Sequence, residues 1–178
     1  MTKISISELL QLQSTIRNEI HKTERVVRKG AFHEVVGDIE TEVVAVEEHE
    51  EALGKLESLY PLAIQIADKL HEANRGTTFT HETHDGKTVE LNLASALDYV
   101  KQLRSKVGIF ASLGSMRPKS VVSSYGSNAQ TVTTVTHDIP AYESLSETLQ
   151  KEANRLSREI ERQSVLAIVE MEGIEAYL

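Results

Sequence analysis

A chain of 178 residues with 40% apolar content can bury a real core, while a formal charge of -8 disfavours nucleic acid and anionic membranes, which both need a concentrated basic face. Aromatic residues make up only 4% and tryptophan is absent, which points to a core of Leu, Ile, Val and Ala and away from a large ligand cavity. The absence of cysteine excludes disulfides, thiolate zinc sites and cysteine nucleophiles.

The N-terminal residues lack the apolar run of a signal peptide, and no stretch approaches the roughly 18 apolar residues that span a bilayer. The expectation is a soluble protein made in the cytoplasm. Ser5-Ile6-Ser7-Glu8 forms a capping box, with Ile4 and Leu9 as its hydrophobic staple. Leu9, Leu12, Ile16, Ile20, Thr23 and Val27 continue one stripe to about Lys29, and Gly30 follows as a stop. From Ala31 to Val46 the β-formers Phe32, Val35, Val36, Ile39, Val43, Val44 and Val46 flank Gly37-Asp38, which predicts a hairpin.

From Glu47 the helical period returns, with Leu53, Leu56, Tyr60, Ala63, Ala67, Leu70 and Asn74 as a heptad seam. Pro61 must kink this helix or split it near Leu59, and Gly76 ends it. Thr77 to Leu91 is a second hairpin turning at Asp85-Gly86. Asn92 then caps a third helix carrying Leu93, Leu97, Val100, Leu103, Val107 and Phe110, closed near Gly114. Lys119 to Thr136 is a third hairpin, turning near Gly126-Ser127-Asn128. Ser and Thr on both faces leave its register weakly specified and its edge open to another chain.

Asp138 as N-cap and Pro140 in the first turn open the longest pattern, with Tyr142, Leu145, Leu149, Ala153, Leu156, Ile160, Gln163, Ala167 and Glu170 on one stripe and Gly173 as the stop. A helix of about 30 residues is on the order of 45 Å long, so it needs other helices beside it. The fold expected is mainly α: an elongated antiparallel bundle or coiled coil of four helices with β-hairpins between consecutive helices. It forms a single module over 1–178, with helices at about 5–29, 47–75, 93–112 and 140–171 and hairpins at about 31–46, 77–91 and 119–136.

Two surfaces are expected to carry interactions. Nine acids between Glu34 and Glu57 face Lys55 alone, and Glu47, Glu48, Glu50 and Glu51 are its dense centre, suited to a basic protein partner or a solvated face. At the other end Val165, Leu166, Ile168, Val169 and Met171 surround most of a helix and predict a contact with another subunit. Among possible metal ligands, His81 and His84 differ by an odd number, so on one strand they point to opposite faces and suit an exposed hairpin tip rather than an ion clamp. A cation among the acids of the second helix lacks a turn to converge its ligands, and a di-iron bundle would need more than the single Asp68-x-x-His71. Neither a phosphate loop nor a nucleophile elbow occurs. No enzyme, no cofactor and no metal are expected.

Ile6-Ser7-Glu8-Leu9-Leu10, the run Ala73-Asn74-Arg75 leading to Asp85-Gly86-Lys87-Thr88, and Tyr142 to Gln163 after the Thr-rich segment resemble the septicolysin-like family of small bacterial and phage proteins. The resemblance implies a helical architecture and, through the family name, a cytolysin, with no catalytic residues to carry over. The function expected is a non-enzymatic structural or assembly protein, a homo-oligomeric part of a larger complex, with a phage virion as the first candidate. The alternatives are a cytolysin-like membrane-active protein and a helical bundle that binds a small ligand or metal.

Overall fold

The computed structural model describes residues 1–31, 35–36, 39–40, 45–123 and 130–177. It is mainly helical, with α1 (Ile6–Gly30), α2 (Val46–Gly76), α3 (Leu93–Gly114) and α4 (Ile139–Leu166). Eight short strands form four antiparallel pairs among the described residues: β1 (Thr2–Ser5) with β8 (Ile168–Met171), β2 (Val35–Val36) with β3 (Ile39–Glu40), β4 (Thr78–Glu82) with β5 (Thr88–Asn92), and β6 (Lys119–Ser123) with β7 (Gln130–Thr134). Each hairpin stays a separate two-stranded sheet, and β6 pairs with β7 from Lys119 opposite Thr134 to Ser123 opposite Gln130. The turn residues predicted at Gly37-Asp38 and Gly126-Ser127-Asn128 lie outside the described residues.

Where the sequence predicts one module over 1–178, the chain divides into two compact units, one of Met1–Thr77 with Gln163–Leu178 and one of Thr78–Arg162. In the first unit α1 packs on α2. Its buried face is Ile6, Leu9, Leu12, Ile16, Ile20 and Thr23. The predicted capping box is present, with the Glu8 N–H donating to Ser5 Oγ and the Ser5 N–H donating to Glu8 Oε2 at 2.8 Å.

In α2 the buried residues are Ala52, Leu56, Leu59, Ile66 and Leu70, which corrects the seam read from the sequence. Two heptad stripes run one position apart through this helix and share Leu56 and Leu70. The wholly apolar Leu59 and Ile66 take the inside, while Tyr60 turns out and its hydroxyl donates to Glu24 Oε1 at 2.9 Å. Pro61 sits inside a helix that continues from Val46 to Gly76. Gly30 lies against His49, where an added Cβ would come within 2.4 Å of the ring Nδ1.

The end of α4 is the largest departure from the expected pattern. The helix stops at Leu166 rather than near residue 171, and Ile168–Met171 form β8, with Ile4 opposite Val169 and Thr2 opposite Met171. Ile168 and Val169 are β-branched and favour a strand once one is available to pair with, and the alternation leaves Met171 buried. Gly173 adopts φ +76° in the turn after β8, a conformation that glycine takes without strain, and Ile174 is fully buried behind it. The backbone N–H of Ile6, an orphan of the first turn of α1, donates to the Ala167 carbonyl at 3.1 Å.

In the second unit the strand pair β4–β5 feeds directly into α3, whose first turn is capped by Asn92 Oδ1 accepting from the Ser95 N–H at 2.8 Å. Asp138 caps α4 in the same way, through the Ala141 N–H at 3.1 Å. Phe110 of α3 stacks on Tyr142 of α4 at 5.5 Å, and the His137 Nε2–H donates to the Leu113 carbonyl. Gly114 lies close against α4, where an added Cβ would stand 2.9 Å from the backbone nitrogen of Glu143.

Candidate functional site

Alternation along β4 turns Phe79 and His81 inward and Thr78, Thr80 and Glu82 outward. The strand then ends in a tight turn. The Thr83 N–H donates to the Lys87 carbonyl at 2.8 Å, the Gly86 N–H donates to the Thr83 carbonyl, and Gly86 takes φ +78°. At its tip Asp85 pairs with Lys87, and that hydrogen bond, with a second from the Thr83 hydroxyl, lowers the Asp85 pKa to about 2. His84 is in this turn, beyond the strand, so the period of two no longer decides where its ring points.

Both histidines reach one carboxylate. Glu152 lies on the inner side of α4 beside Leu149, Ala153 and Leu156, and its side chain is only 1% exposed. Oε2 accepts from the His84 N–H at 3.0 Å and lies 2.7 Å from His84 Nδ1. Oε1 accepts from the Tyr99 hydroxyl at 2.8 Å and lies 3.4 Å from His81 Nε2. A carboxylate only accepts, which assigns the protons to His84 Nδ1 and His81 Nε2. The reading of His81 and His84 as an exposed tip on opposite faces is thus corrected: His81 is 5% exposed, and the turn redirects His84 to the same side.

Burial alone would raise the Glu152 pKa, but the hydrogen bonds from Tyr99, the His84 backbone and ring, and His81 outweigh it, and the net shift is downward. Tyr99 is pushed up to about 12, first by burial and then by its bond to Glu152 and that group's negative charge. With four donors filling its two oxygens, Glu152 is a clamp holding β4 and the turn to α3 and α4 rather than a base with a free lone pair. Its chemical effect falls on His84, which is fixed through Nδ1 and left with Nε2 as its open nitrogen.

His84 and Glu152 line a cleft of about 430 Å³ together with Glu82, Thr83, Gly86, Thr148, Lys151, Arg155 and Arg158. Lys151, Arg155 and Arg158 lie on successive turns of one α4 face, and the Arg155 guanidinium donates to the Glu82 carbonyl. Sequence reading missed this site because nothing local links residue 152 to residues 81 and 84. The available signal was a Glu in line with apolar Leu149, Ala153 and Leu156, where an unpaired charge would be costly.

The predicted interaction residues stand elsewhere. Glu47, Glu48, Glu50 and Glu51 are exposed in the first turns of α2, and Ala45 provides no side-chain cap there, so the acids also compensate the positive helix N-terminus. Of the C-terminal set, Val165, Leu166 and Ile168 are 55%, 62% and 58% exposed. Val169 is half-buried in β8, and Met171 packs inside its own unit, so Met171 is not part of an exposed face. Among the described residues no group of three or more His, Asp and Glu side chains is placed to hold a metal ion, and no helix is long and apolar enough to cross a membrane.

No family model and no curated protein matches this chain. A crystal structure of a functionally unknown conserved protein from Corynebacterium diphtheriae is similar in fold, with a TM-score of 0.63 and 17% identity over 95% of this chain and 100% of that one.

Proposed function

We propose that this chain is a non-enzymatic structural protein, a homo-oligomeric part of a larger assembly such as a virion, with its helices packed as a bundle. The observation that carries this reading is the contiguous exposed apolar run Val165, Leu166 and Ile168 at the junction of α4 and β8. Burying the exposed half of each such side chain contributes roughly 1 kcal/mol, which for two copies falls short of or barely meets the roughly 4–15 kcal/mol that association costs. The contact must therefore extend further. A second exposed run, Val46, Leu53, Tyr60 and Ile64, recurs at spacings of seven and four along α2 and supplies a seam of the coiled-coil kind. The acidic turn beside Val46 then sets which partners are accepted, since like charges repel there.

The test is molar mass by light scattering for the wild type and for a variant carrying Val165→Gln, Leu166→Gln and Ile168→Thr. The wild type is expected as a multimer of the 19.8 kDa chain, and the variant, with unchanged helix content by circular dichroism, at 19.8 kDa. A wild type that stays at the mass of one chain, or a variant that keeps the wild-type mass, overturns the reading.

A further inference from the structure

We propose that the cleft between the β4–β5 turn and α4 is a binding site for a phosphate-type oxyanion, a small phosphate monoester or inorganic phosphate. Its lining carries three cationic donors, the Lys151 ammonium and the Arg155 and Arg158 guanidiniums. Two carboxylates line it, Glu82 and the buried Glu152, and Glu152 already accepts from four donors. Asp85 in the turn is paired with Lys87. Three cations against these two carboxylates leave an excess of one positive charge, in a protein whose formal charge is -8. Two guanidinium forks and an ammonium offer more N–H groups than the two oxygens of a carboxylate can accept, and suit the several terminal oxygens of a phosphate better.

One of these donors is also held in place before any ligand arrives. The Glu82 carbonyl anchors one arm of Arg155 while leaving its remaining N–H groups to a ligand. Such anchoring lowers the ordering cost that makes most exposed lysines and arginines poor sites. This site lies within the Thr78–Arg162 unit and does not depend on the assembly reading.

Calorimetric titration with inorganic phosphate, phenyl phosphate and acetate at constant ionic strength tests it. Saturable one-site binding of either phosphate species is expected, with acetate at least about tenfold weaker, and the tighter of the two phosphates identifies free anion or monoester as the source. Lys151→Gln and Arg158→Gln, both at exposed positions, should each weaken phosphate binding about tenfold, with Arg158→Lys recovering part of the loss. Lys101→Gln on α3 should change nothing. The proposal is overturned if no binding is seen up to about 10 mM phosphate, if acetate binds equally well, or if the α4 variants bind as the wild type does.

Discussion

Removing the Glu152 carboxylate would leave the buried His81 ring, the Tyr99 hydroxyl and the His84 N–H without an acceptor, so Glu152→Ala is expected to cost about 2–4 kcal/mol in urea unfolding. The acid limb of the stability profile follows from the same group. Its folded pKa lies below its unfolded value near 4.5, so the stabilisation is complete above that value and is lost as pH falls through the folded pKa. Tyr99 acts in the opposite range. Its raised pKa means that stability present below pH 10 is lost between 10 and about 12, and the phenolate absorbance of Tyr99→Phe should lose a component titrating near 12. Should Glu152→Ala unfold at the same urea concentration as the wild type, with an unaltered acid limb, the carboxylate is not the clamp described here.

Helix starts were legible because they are local chemistry: Ser5 with Glu8, Asn92 and Asp138 each state a cap within four residues of chain. The end of α4 was not, because whether Ile168 and Val169 continue a helix or make a strand depends on Thr2–Ser5, more than 160 residues away. The same limit applies to the α2 seam, where two stripes fit the period and only the opposing surface of α1 selects Leu59 and Ile66 over Tyr60 and Ala67. It applies again at Glu152, whose partners come from a turn and from another helix. Glycine substitutions separate local from tertiary effects in one experiment. Gly54→Ala in α2 meets nothing within 4 Å and should stabilise by about 0.5–1 kcal/mol through helix propensity. Gly114→Ala drives its Cβ to 2.9 Å from the Glu143 backbone nitrogen, an atom that cannot rotate aside, and should destabilise by about 1–3 kcal/mol. Equal urea midpoints for the two variants would show that α3 and α4 do not approach at Gly114.

The two units differ in how the chain supplies them. The unit Thr78–Arg162 is one continuous segment, whereas the other is assembled from Met1–Thr77 and Gln163–Leu178, so the first is inserted within the second. A fragment of residues 1–162 should therefore keep slow amide exchange in β4, β5 and α3 while β1 and the first turn of α1 exchange as open chain, and adding a peptide of residues 163–178 should restore their protection. Loss of protection throughout the fragment would mean that the units do not stand separately. The pairing of β1 with β8 also sets an order of events during synthesis. Ile4 leaves the ribosome some 165 residues ahead of its strand partner Val169, at about 5–20 residues per second. For the intervening seconds the inserted unit can complete itself while β1 waits with an unpaired edge. The nascent protein is thus exposed at this strand to strand-capturing chaperones or to a neighbouring nascent copy, and translation itself acts as the timer that closes this latch.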